Sequence, residues 1–350
     1  MNSNGESYVP FEQKMTGVTI PQEWSQYVSS SFNRIFISPA SGCSANCAYC
    51  FIFEYGHPHR PQVFEIPPSR IAAWLQSEPL FRAGKSGTLL SLAPFCDAFA
   101  PEVTDTTLEF VRALAPLKNP IQLSTKYYVD ETTAKKLGDL QDVAGQIVLY
   151  VTITSFKLWR QLEPATDAPS LRLKGSLNVR HYGINTCLSI KPVLPGITEL
   201  EAESFAKAIG DYRIPFCALG VMYSSKNIEV RMRARRMISS DLECRLRAAG
   251  RIPPPPHSYE QGLRAWDIPT LDIAQKLLLT MKAAGAECVV SGPCAIALSY
   301  DVLCPTGVWR YLPHLCVPCQ ANCRSRFAES SSVVRAPFLS ENPYAQPVGG

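Results

Sequence analysis

The stretch that most constrains this chain is 41–51, Ser-Gly-Cys-Ser-Ala-Asn-Cys-Ala-Tyr-Cys-Phe, in which three and then two residues separate Cys43, Cys47 and Cys50. Iron-sulfur clusters are held by thiolates, and a four-iron cube held by three of them keeps one iron open for another molecule. The loop therefore predicts a [4Fe-4S] site. The alternatives are a structural zinc site that lacks one ligand and a chance group of buried thiols.

Composition limits the kind of protein. A chain of 350 residues, 46% of them hydrophobic, can bury the core of one barrel-sized domain. Its net charge of +4 gives no reason to expect a polyanionic partner. The start of the chain lacks the apolar core of a signal peptide, and no apolar run is long enough for a membrane span. We therefore expect a cytoplasmic protein without a membrane partner, in which thirteen cysteines favour metal or redox chemistry over disulfides.

Short apolar runs alternate with helical patterns along most of the chain. The predicted strands are 33–38, 88–92, 121–124, 146–152, 187–190 and 216–222, and helices are predicted near 68–78, 105–116, 131–139, 170–181, 198–209 and 270–284. Six strands separated by helices predict an α/β fold, a partial (β/α)6 TIM-like barrel. The cysteine loop follows the first strand, and the carboxyl ends of barrel strands are where chemistry takes place.

The predicted domain organisation places this barrel between two other regions. The predicted segments are an N-terminal arm (1–31), the barrel (32–230), a basic and proline-rich connection (231–268), a cysteine-rich region for an auxiliary metal cluster (269–329) and a flexible tail (330–350). The connection contains Arg231, Arg233, Arg235 and Arg236. This run has two interpretations, a clamp for a phosphate or carboxylate of the substrate and a solvated helix face.

The cysteine spacing, with the aromatic Tyr49 directly before Cys50, is similar to the signature of the radical S-adenosylmethionine (SAM) superfamily. This resemblance implies that the open iron chelates the amino and carboxylate groups of SAM, and that one electron from the cluster cleaves SAM to a 5'-deoxyadenosyl radical. It also implies that Tyr49 is a cofactor-binding residue and that an external donor such as flavodoxin or ferredoxin supplies the electron.

Within that superfamily, the chain from the cysteine loop to about residue 195 resembles the spore photoproduct lyase branch. The matching elements are 124–127 (Ser-Thr-Lys-Tyr), 152–155 (Thr-Ile-Thr-Ser), 163–166 (Glu-Pro-Ala-Thr), the pair Arg172 and Leu173, and 192–196. The resemblance implies that Lys126 and Ser155 contact SAM, where an ammonium can pair with a carboxylate and a hydroxyl can bond the ribose or carboxylate. Their alternatives are a surface lysine and a turn serine.

Two departures limit what the resemblance carries over. Many superfamily members have a Gly-Gly-Glu element that binds the amino group of the cofactor, whereas residues 92–97 here are Leu-Ala-Pro-Phe-Cys-Asp. The likeness also does not reach the C-terminal third, so lesion repair is not inherited with the fold.

A second group of cysteines lies near the C-terminus. Cys304, Cys316, Cys319 and Cys323 are separated by eleven, two and three residues, and four thiolates can hold a closed cube. This arrangement resembles the auxiliary-cluster tails of SPASM and twitch type, although it matches neither fully, and structural zinc is the direct alternative. We expect a second [4Fe-4S] cluster. Cys288 and Cys294 are reserve ligands that we interpret first as buried small hydrophobes.

Cys96, just past the second predicted strand, is the candidate catalytic residue, because a thiol at that end of a barrel can donate a hydrogen atom to a substrate radical. Its alternative is a packed core residue. The sequence thus predicts a radical SAM enzyme that acts on a small-molecule or sugar-like substrate, with epimerisation or dehydrogenation as the outcome. The alternatives are a radical SAM enzyme that repairs or modifies nucleic acid, and a non-enzymatic iron-sulfur or zinc regulatory protein.

Overall fold

A computed structural model describes residues 20–31, 34–220, 222–249, 266–268, 270–289 and 292–302 of the chain. Its strands are β1 (Val28–Ser31), β2 (Arg34–Ile37), β3 (Ala40–Ser41), β4 (Gln62–Val63), β5 (Leu90–Leu92), β6 (Ile121–Thr125), β7 (Ile147–Thr152), β8 (Asn185–Ile190), β9 (Phe216–Leu219), β10 (Met222–Ser224), β11 (Trp266–Ile268) and β12 (Glu287–Val289). Its helices are α1 (Pro68–Ser77), α2 (Thr104–Leu114), α3 (Glu131–Asp139), α4 (Trp159–Leu162), α5 (Pro169–His181), α6 (Ala202–Tyr212), α7 (Lys226–Ala234), α8 (Ser240–Ala249), α9 (Leu271–Ala283) and α10 (Gly292–Ser299).

An eight-stranded sheet in the order β1-β2-β5-β6-β7-β8-β9-β12 forms the centre of the fold. All neighbours from β2 to β12 are parallel, and β1 pairs with β2 in the antiparallel direction at the edge. The six predicted strands correspond to β2 and β5 to β9, and they are neighbours in chain order. The mostly parallel α/β sheet is therefore confirmed, while its closure into a partial barrel stays a prediction.

Both faces of the sheet are covered, which is why its central strands are apolar throughout. All six residues of β7 are buried. Ile147, Leu149 and Val151 join the core on what we call the outer face, whereas Val148 and Tyr150 point to the inner face and pack with α10. The Tyr150 hydroxyl donates a hydrogen bond to the carbonyl of Gly292, at the start of α10. Helix α10 therefore lies against the inner face.

The outer face is covered by helices that pack in pairs, α1 with α2, α3 with α5, and α6 with α9. Side chains cap three of the described helix starts, and Ser239 caps α8 by accepting a 3.0 Å hydrogen bond from the backbone of Leu242. Asp130 accepts a 2.7 Å hydrogen bond from the backbone of Thr133 before α3, and Ser225 accepts a 3.1 Å bond from Ile228 before α7. Among the described helices, none combines the length and the apolar character that crossing a membrane would require.

The structure differs from the predicted organisation at both ends of the barrel segment. Residues 28–31 of the predicted arm form β1, and Trp24 and Val28 are buried in the core. Beyond residue 230, α7 and α8 are helices where a connection was predicted, and β12, in the region predicted for an auxiliary cluster, extends the main sheet beside β9. Such short edge strands have almost no periodicity of their own, so only tertiary pairing defines them.

Candidate active site

The loop 41–51 follows β3 and places three thiols in one apolar cluster. Cys43 and Cys47 are buried and Cys50 is half-buried. Apolar residues of the loop and of distant parts of the chain surround these thiols. From the loop and its end come Ala45, Ala48 and Ile52, and from distant segments come Leu162, Leu194, Ile197, Met222 and Ile228. The structure thus brings the three predicted ligands together in a site that is largely shielded from water.

Gly42 sets the entry of the chain into this loop. Its φ of +96° lies in the left-handed region, and an added Cβ would lie 2.5 Å from the carbonyl oxygen of Pro58. Its backbone nitrogen donates a 3.0 Å hydrogen bond to the carbonyl of Phe95, in the segment after β5. A glycine is therefore required where the loop passes between two other backbone segments.

Without metal, the three cysteines are held as neutral thiols. Burial, reinforced by the charge of Asp97, raises the pKa of Cys43 to about 12. Burial likewise raises the pKa of Cys47 well above its ordinary value, and that of Cys50 less strongly. Metal must displace these protons on binding, because only the thiolate is a ligand.

Among the described residues, no three cysteine, histidine, aspartate or glutamate side chains converge as they would around a single metal ion. In a four-iron cube each thiolate binds a different iron, so the sulfurs stand apart. Three thiols from one short loop, two of them buried and one half-buried, are a donor set that fits such a cube and would leave its fourth iron open to a cofactor.

Arg231 of α7 and Arg235, the residue directly after this helix, hold the cysteine loop by its backbone. Arg231 donates a 2.6 Å hydrogen bond to the carbonyl of Cys50 and a 3.3 Å bond to that of Ala48. Arg235, one turn further along, donates 2.9 Å and 3.1 Å bonds to the carbonyl and side chain of Asn46. These two members of the arginine run therefore face the loop, and neither lies on a solvated helix face.

The phenol of Tyr49 anchors the same loop to a buried polar network. Its hydroxyl donates to Glu163 and lies 3.0 Å from the hydroxyl of Thr154. Glu163 in turn forms a 2.6 Å ion pair with Arg172, and both side chains are fully buried. Because this hydroxyl is already bonded, Tyr49 can present only its ring or backbone to a cofactor.

Arg172 joins the segments that carry the lyase-like sequence elements. Besides Glu163, its guanidinium donates to the carbonyls of Thr152 and Asp167 and to the hydroxyl of Thr166. All these acceptors lie at the end of β7 or in the segment that follows it. The matches at 152–155, 163–166 and 172 therefore form one buried network that supports the cysteine loop.

Lys126, directly after β6, lies beside the cysteine loop. Its ammonium is 5.9 Å from the centre of the Tyr49 ring. Burial opposes its charge, but the nearby Cys47 and Glu163 outweigh burial and raise the pKa of Lys126. Asp97 fixes the backbone here, because its carboxylate accepts a 2.7 Å hydrogen bond from the Lys126 nitrogen. Lys126 is therefore a cation beside the cysteine loop, and its contact with SAM stays a prediction.

Ser155 is fully buried after β7, and its hydroxyl is already bonded. It donates to Glu201 and accepts a 2.9 Å hydrogen bond from the backbone of Leu158. The other carboxylate oxygen of Glu201 accepts from the backbone of Phe156 at 2.6 Å. A hydroxyl has one hydrogen and two lone pairs, so Ser155 has one acceptor position left for a cofactor.

Cys96 lies in the segment after β5, half-buried against the core. Burial raises its pKa far above the ordinary thiol value, and the charges of Asp97 and Cys43 act in the same direction. The structure therefore brings Cys96 near the first cysteine of the loop and keeps it as a thiol. This partial burial also agrees with the alternative interpretation of Cys96 as a packed core residue. The catalytic role of Cys96 stays a prediction.

The remaining cysteines divide into described and undescribed ones. Cys288 and Cys294 are buried in β12 and α10, which agrees with their interpretation as small hydrophobes. Cys304, Cys316, Cys319 and Cys323 lie outside the described residues, as does the tail at 330–350. The auxiliary cluster and its choice between iron-sulfur and zinc therefore stay predictions.

Comparison with solved structures identifies the architecture. A doubly substituted variant of spore photoproduct lyase with bound AdoMet and dinucleoside spore photoproduct matches with a TM-score of 0.53 and 17% identity, over 73% of this chain and 75% of that chain. The described core has the spore photoproduct lyase fold. The lyase complexed with dinucleoside spore photoproduct matches with a TM-score of 0.52 and 15% identity, over 71% of this chain and 74% of that one. This confirms the lyase-like core predicted from the motifs.

Other comparisons add little. Streptococcus suis SuiB bound to S-adenosylmethionine has a TM-score of only 0.39 and 11% identity, over 56% of this chain and 42% of that one, which is too distant to support an inference. No protein-family model and no curated protein sequence matches this chain. The likeness to spore photoproduct lyase therefore shows the fold of this chain and not its reaction.

Sequence reasoning missed three supporting residues of the site. Arg231 and Arg235 were noticed as part of a basic run, but nothing in the run indicates that they bind backbone carbonyls of the cysteine loop. Glu201 was not noticed at all, although it is a buried acidic residue that orders the segment after β7. A glutamate in the first turn of a predicted helix is too common a feature to mark such a role.

Proposed function

We propose that this protein is a radical SAM enzyme that abstracts a hydrogen atom from a small-molecule or sugar-like substrate. The observation that carries the proposal is the buried loop with Cys43, Cys47 and Cys50, which follows the first parallel strand and lies beside Lys126. The spore photoproduct lyase fold, with its mostly parallel sheet, supports it. The partners are the substrate and an external electron donor of the flavodoxin or ferredoxin class.

The residues present fit the predicted cofactors. When bound, a [4Fe-4S] cluster and SAM supply a 5'-deoxyadenosyl radical that takes a hydrogen atom from the substrate. Cys43, Cys47 and Cys50 hold the cluster, and Lys126 pairs with the carboxylate of SAM. Ser155 contributes only as an acceptor, since its hydrogen is bonded to Glu201.

The outcome depends on Cys96. Donation of a hydrogen atom breaks its S–H bond, forms a C–H bond on the substrate radical and leaves a thiyl radical. One electron and one proton then restore the thiol, with the electron drawn from the external donor or from the proposed second [4Fe-4S] cluster. The product is redox-neutral, such as an epimer. If Cys96 does not donate, a dehydrogenation is the alternative outcome: the substrate radical would lose one proton and one electron, and the proposed second cluster would be the acceptor of that electron.

A second candidate function is repair or modification of nucleic acid by the same chemistry. It is favoured by the lyase neighbours, whose bound ligand is a dinucleoside photoproduct. The arginine run no longer favours it, because Arg231 and Arg235 bind the protein's own loop. Binding to DNA or RNA that weakens steeply with salt would support this candidate. Absence of binding at low salt would reject it.

Anaerobic reconstitution with iron and sulfide, followed by reductant and SAM, tests the proposal. We expect 5'-deoxyadenosine from the wild type and from the control Cys244→Ala, whose cysteine is exposed. Cys47→Ala should abolish it. No 5'-deoxyadenosine from a fully loaded wild type, even with candidate substrates, would instead favour an iron-sulfur or zinc regulatory protein. Iron and zinc counts on a Cys316→Ala/Cys319→Ala double variant test the second cluster, and loss of zinc would reject it.

A further inference from the structure

The tip of the cysteine loop reaches the protein surface at Asn46. Within 41–51, all of which the structure describes, Asn46 alone is exposed, and its neighbours Ala45 and Cys47 are buried. The φ of Asn46, +50°, lies in the left-handed region, where the chain turns back toward the core. One exposed residue therefore lies directly before a predicted cluster ligand.

Two segments from distant parts of the chain contact the loop beside this tip. Arg235, directly after α7, donates hydrogen bonds to the carbonyls of Asn46 and Gln161 at 2.9 Å and 3.2 Å. The backbone nitrogen of Ala48 donates a 2.8 Å bond to the carbonyl of Leu162, the last residue of α4. The end of α7 and the end of α4 therefore frame the exposed tip.

The side chains that these two segments bring to the surface are mainly basic. We call the surface formed by the tip and its cations the loop-tip surface, which consists of Asn46, Lys157, Arg160, Arg235 and Arg236. Its cations are exposed, apart from the half-buried Arg235. The one acidic residue of 156–166 is Glu163, fully buried in its ion pair with Arg172, and 230–240 contains no acidic residue.

The four cations of the loop-tip surface are not neutralised within the described chain. Among the described residues, no carboxylate lies within ion-pair distance of any of them. The neighbouring Arg233, by contrast, pairs with Glu243 at 2.6 Å. The carbonyls that Arg235 binds carry no net charge, so its guanidinium keeps its positive charge. The loop-tip surface therefore presents a positive potential beside the cysteine loop.

A protein that carries electrons is too large to enter the core of this fold, so it must dock where the ligand loop comes to the surface. Carriers of the flavodoxin and ferredoxin class are acidic, and their charge complements the four cations. Transient redox complexes bury little area, and charge complementarity steers and orients the partners. A cationic surface beside the ligand loop fits such a partner.

We propose that the loop-tip surface is the docking site of the external electron donor, an acidic carrier protein. This inference rests on the proposed function and assigns a surface to its partner. One electron leaves the reduced carrier, which is oxidised, and enters the cluster held by Cys43, Cys47 and Cys50, which is reduced. No covalent bond forms or breaks in this step.

Binding of oxidised flavodoxin to the cluster-loaded protein tests the docking site without turnover. At about 0.01 M salt, Arg160→Glu should raise the Kd about ten-fold, chiefly through slower association. The difference should disappear at about 1 M salt, where charges are screened beyond about 3 Å. Lys136→Glu is the matched control, because it makes the same change of charge at an exposed position of α3 and should bind as wild type does.

A second variant separates charge from packing, because Arg160 also lies 5.1 Å from the centre of the Trp159 ring. Arg236→Gln removes one charge and leaves that contact in place. It should raise the Kd about three-fold at low salt. A Kd that neither variant changes relative to Lys136→Glu rejects the docking site.

Two further outcomes overturn the proposal. The first is that neither flavodoxin nor a ferredoxin binds the wild type at low salt. The second is that duplex DNA binds the wild type but not Arg160→Glu while flavodoxin does not bind, which assigns the surface to nucleic acid. Dithionite reduces a cluster without a protein partner, so failure of the wild type to form 5'-deoxyadenosine with dithionite rejects the proposed function separately from the docking site.

Discussion

Arg231 donates a 2.6 Å hydrogen bond from its guanidinium to the carbonyl oxygen of Cys50, the last of the three predicted cluster ligands. The same guanidinium pairs with Glu54 at 3.3 Å, and that carboxylate is almost fully buried. Helix α7 therefore fixes the end of the cysteine loop from a position far along the chain. Since Arg235, directly after this helix, fixes Asn46 in the same loop, the end of α7 positions the cysteine loop before any metal is bound.

Arg231→Met should weaken cluster binding without removing a ligand. The substitution leaves the Cys50 carbonyl without its donor and Glu54 without its charge partner, which costs about 1–3 kcal/mol. We expect a lower iron content after reconstitution and a more negative cluster reduction potential, because a positive charge near Cys50 is lost. Absorbance, iron analysis and a potentiometric titration measure these effects.

Arg233→Met is the matched control for Arg231→Met. Arg233 lies on the same helix, but its guanidinium pairs at 2.6 Å with Glu243, away from the cysteine loop. It should keep the iron content and the potential of the wild type. Equal losses in the two variants would show that α7 acts only through its general stability, and the positioning role of Arg231 would be rejected.

Glu163→Gln should destabilise the fold, because it leaves the guanidinium of Arg172 buried without a counter-charge. Removing one partner of a buried ion pair typically costs about 3–5 kcal/mol. The free energy of unfolding in urea measures this loss. Asp211→Asn, which breaks the exposed pair with Lys207, is the control and should change stability little. A Glu163 variant as stable as this control would contradict a supporting role for the network.

The sequence predicted those strands and helices whose residues show a local hydrophobic pattern. Buried strands such as 147–152 could be placed because a continuous apolar run is a local signal. The helices between them could be placed because helical spacing of apolar residues is local as well. Strand β12 could not, since three residues carry too little pattern and only pairing with β9 defines them. The three cysteines were predicted as cluster ligands from their number and from a spacing that resembles a family signature. The structure brings them into one cluster, and their role as ligands stays a prediction.

The supporting residues of the site could not be found in this way. Arg231 and the carbonyl of Ala48 that it binds are 183 positions apart in the sequence. Every residue has a backbone carbonyl, so the sequence does not indicate which carbonyl will accept this hydrogen bond. The same holds for Glu201, whose contacts with Ser155 and Phe156 span more than forty residues of sequence. Long-range geometry of this kind becomes visible only in the folded chain.

Cys96→Ala should separate hydrogen abstraction from formation of the quenched product. The variant keeps every predicted ligand of the cluster, so 5'-deoxyadenosine should still form with substrate. The final product should disappear, and in wild type solvent deuterium should enter the substrate carbon through the exchangeable thiol. Cys244→Ala, at an exposed position, should behave as wild type. Unchanged product yield in Cys96→Ala would reject the donor role.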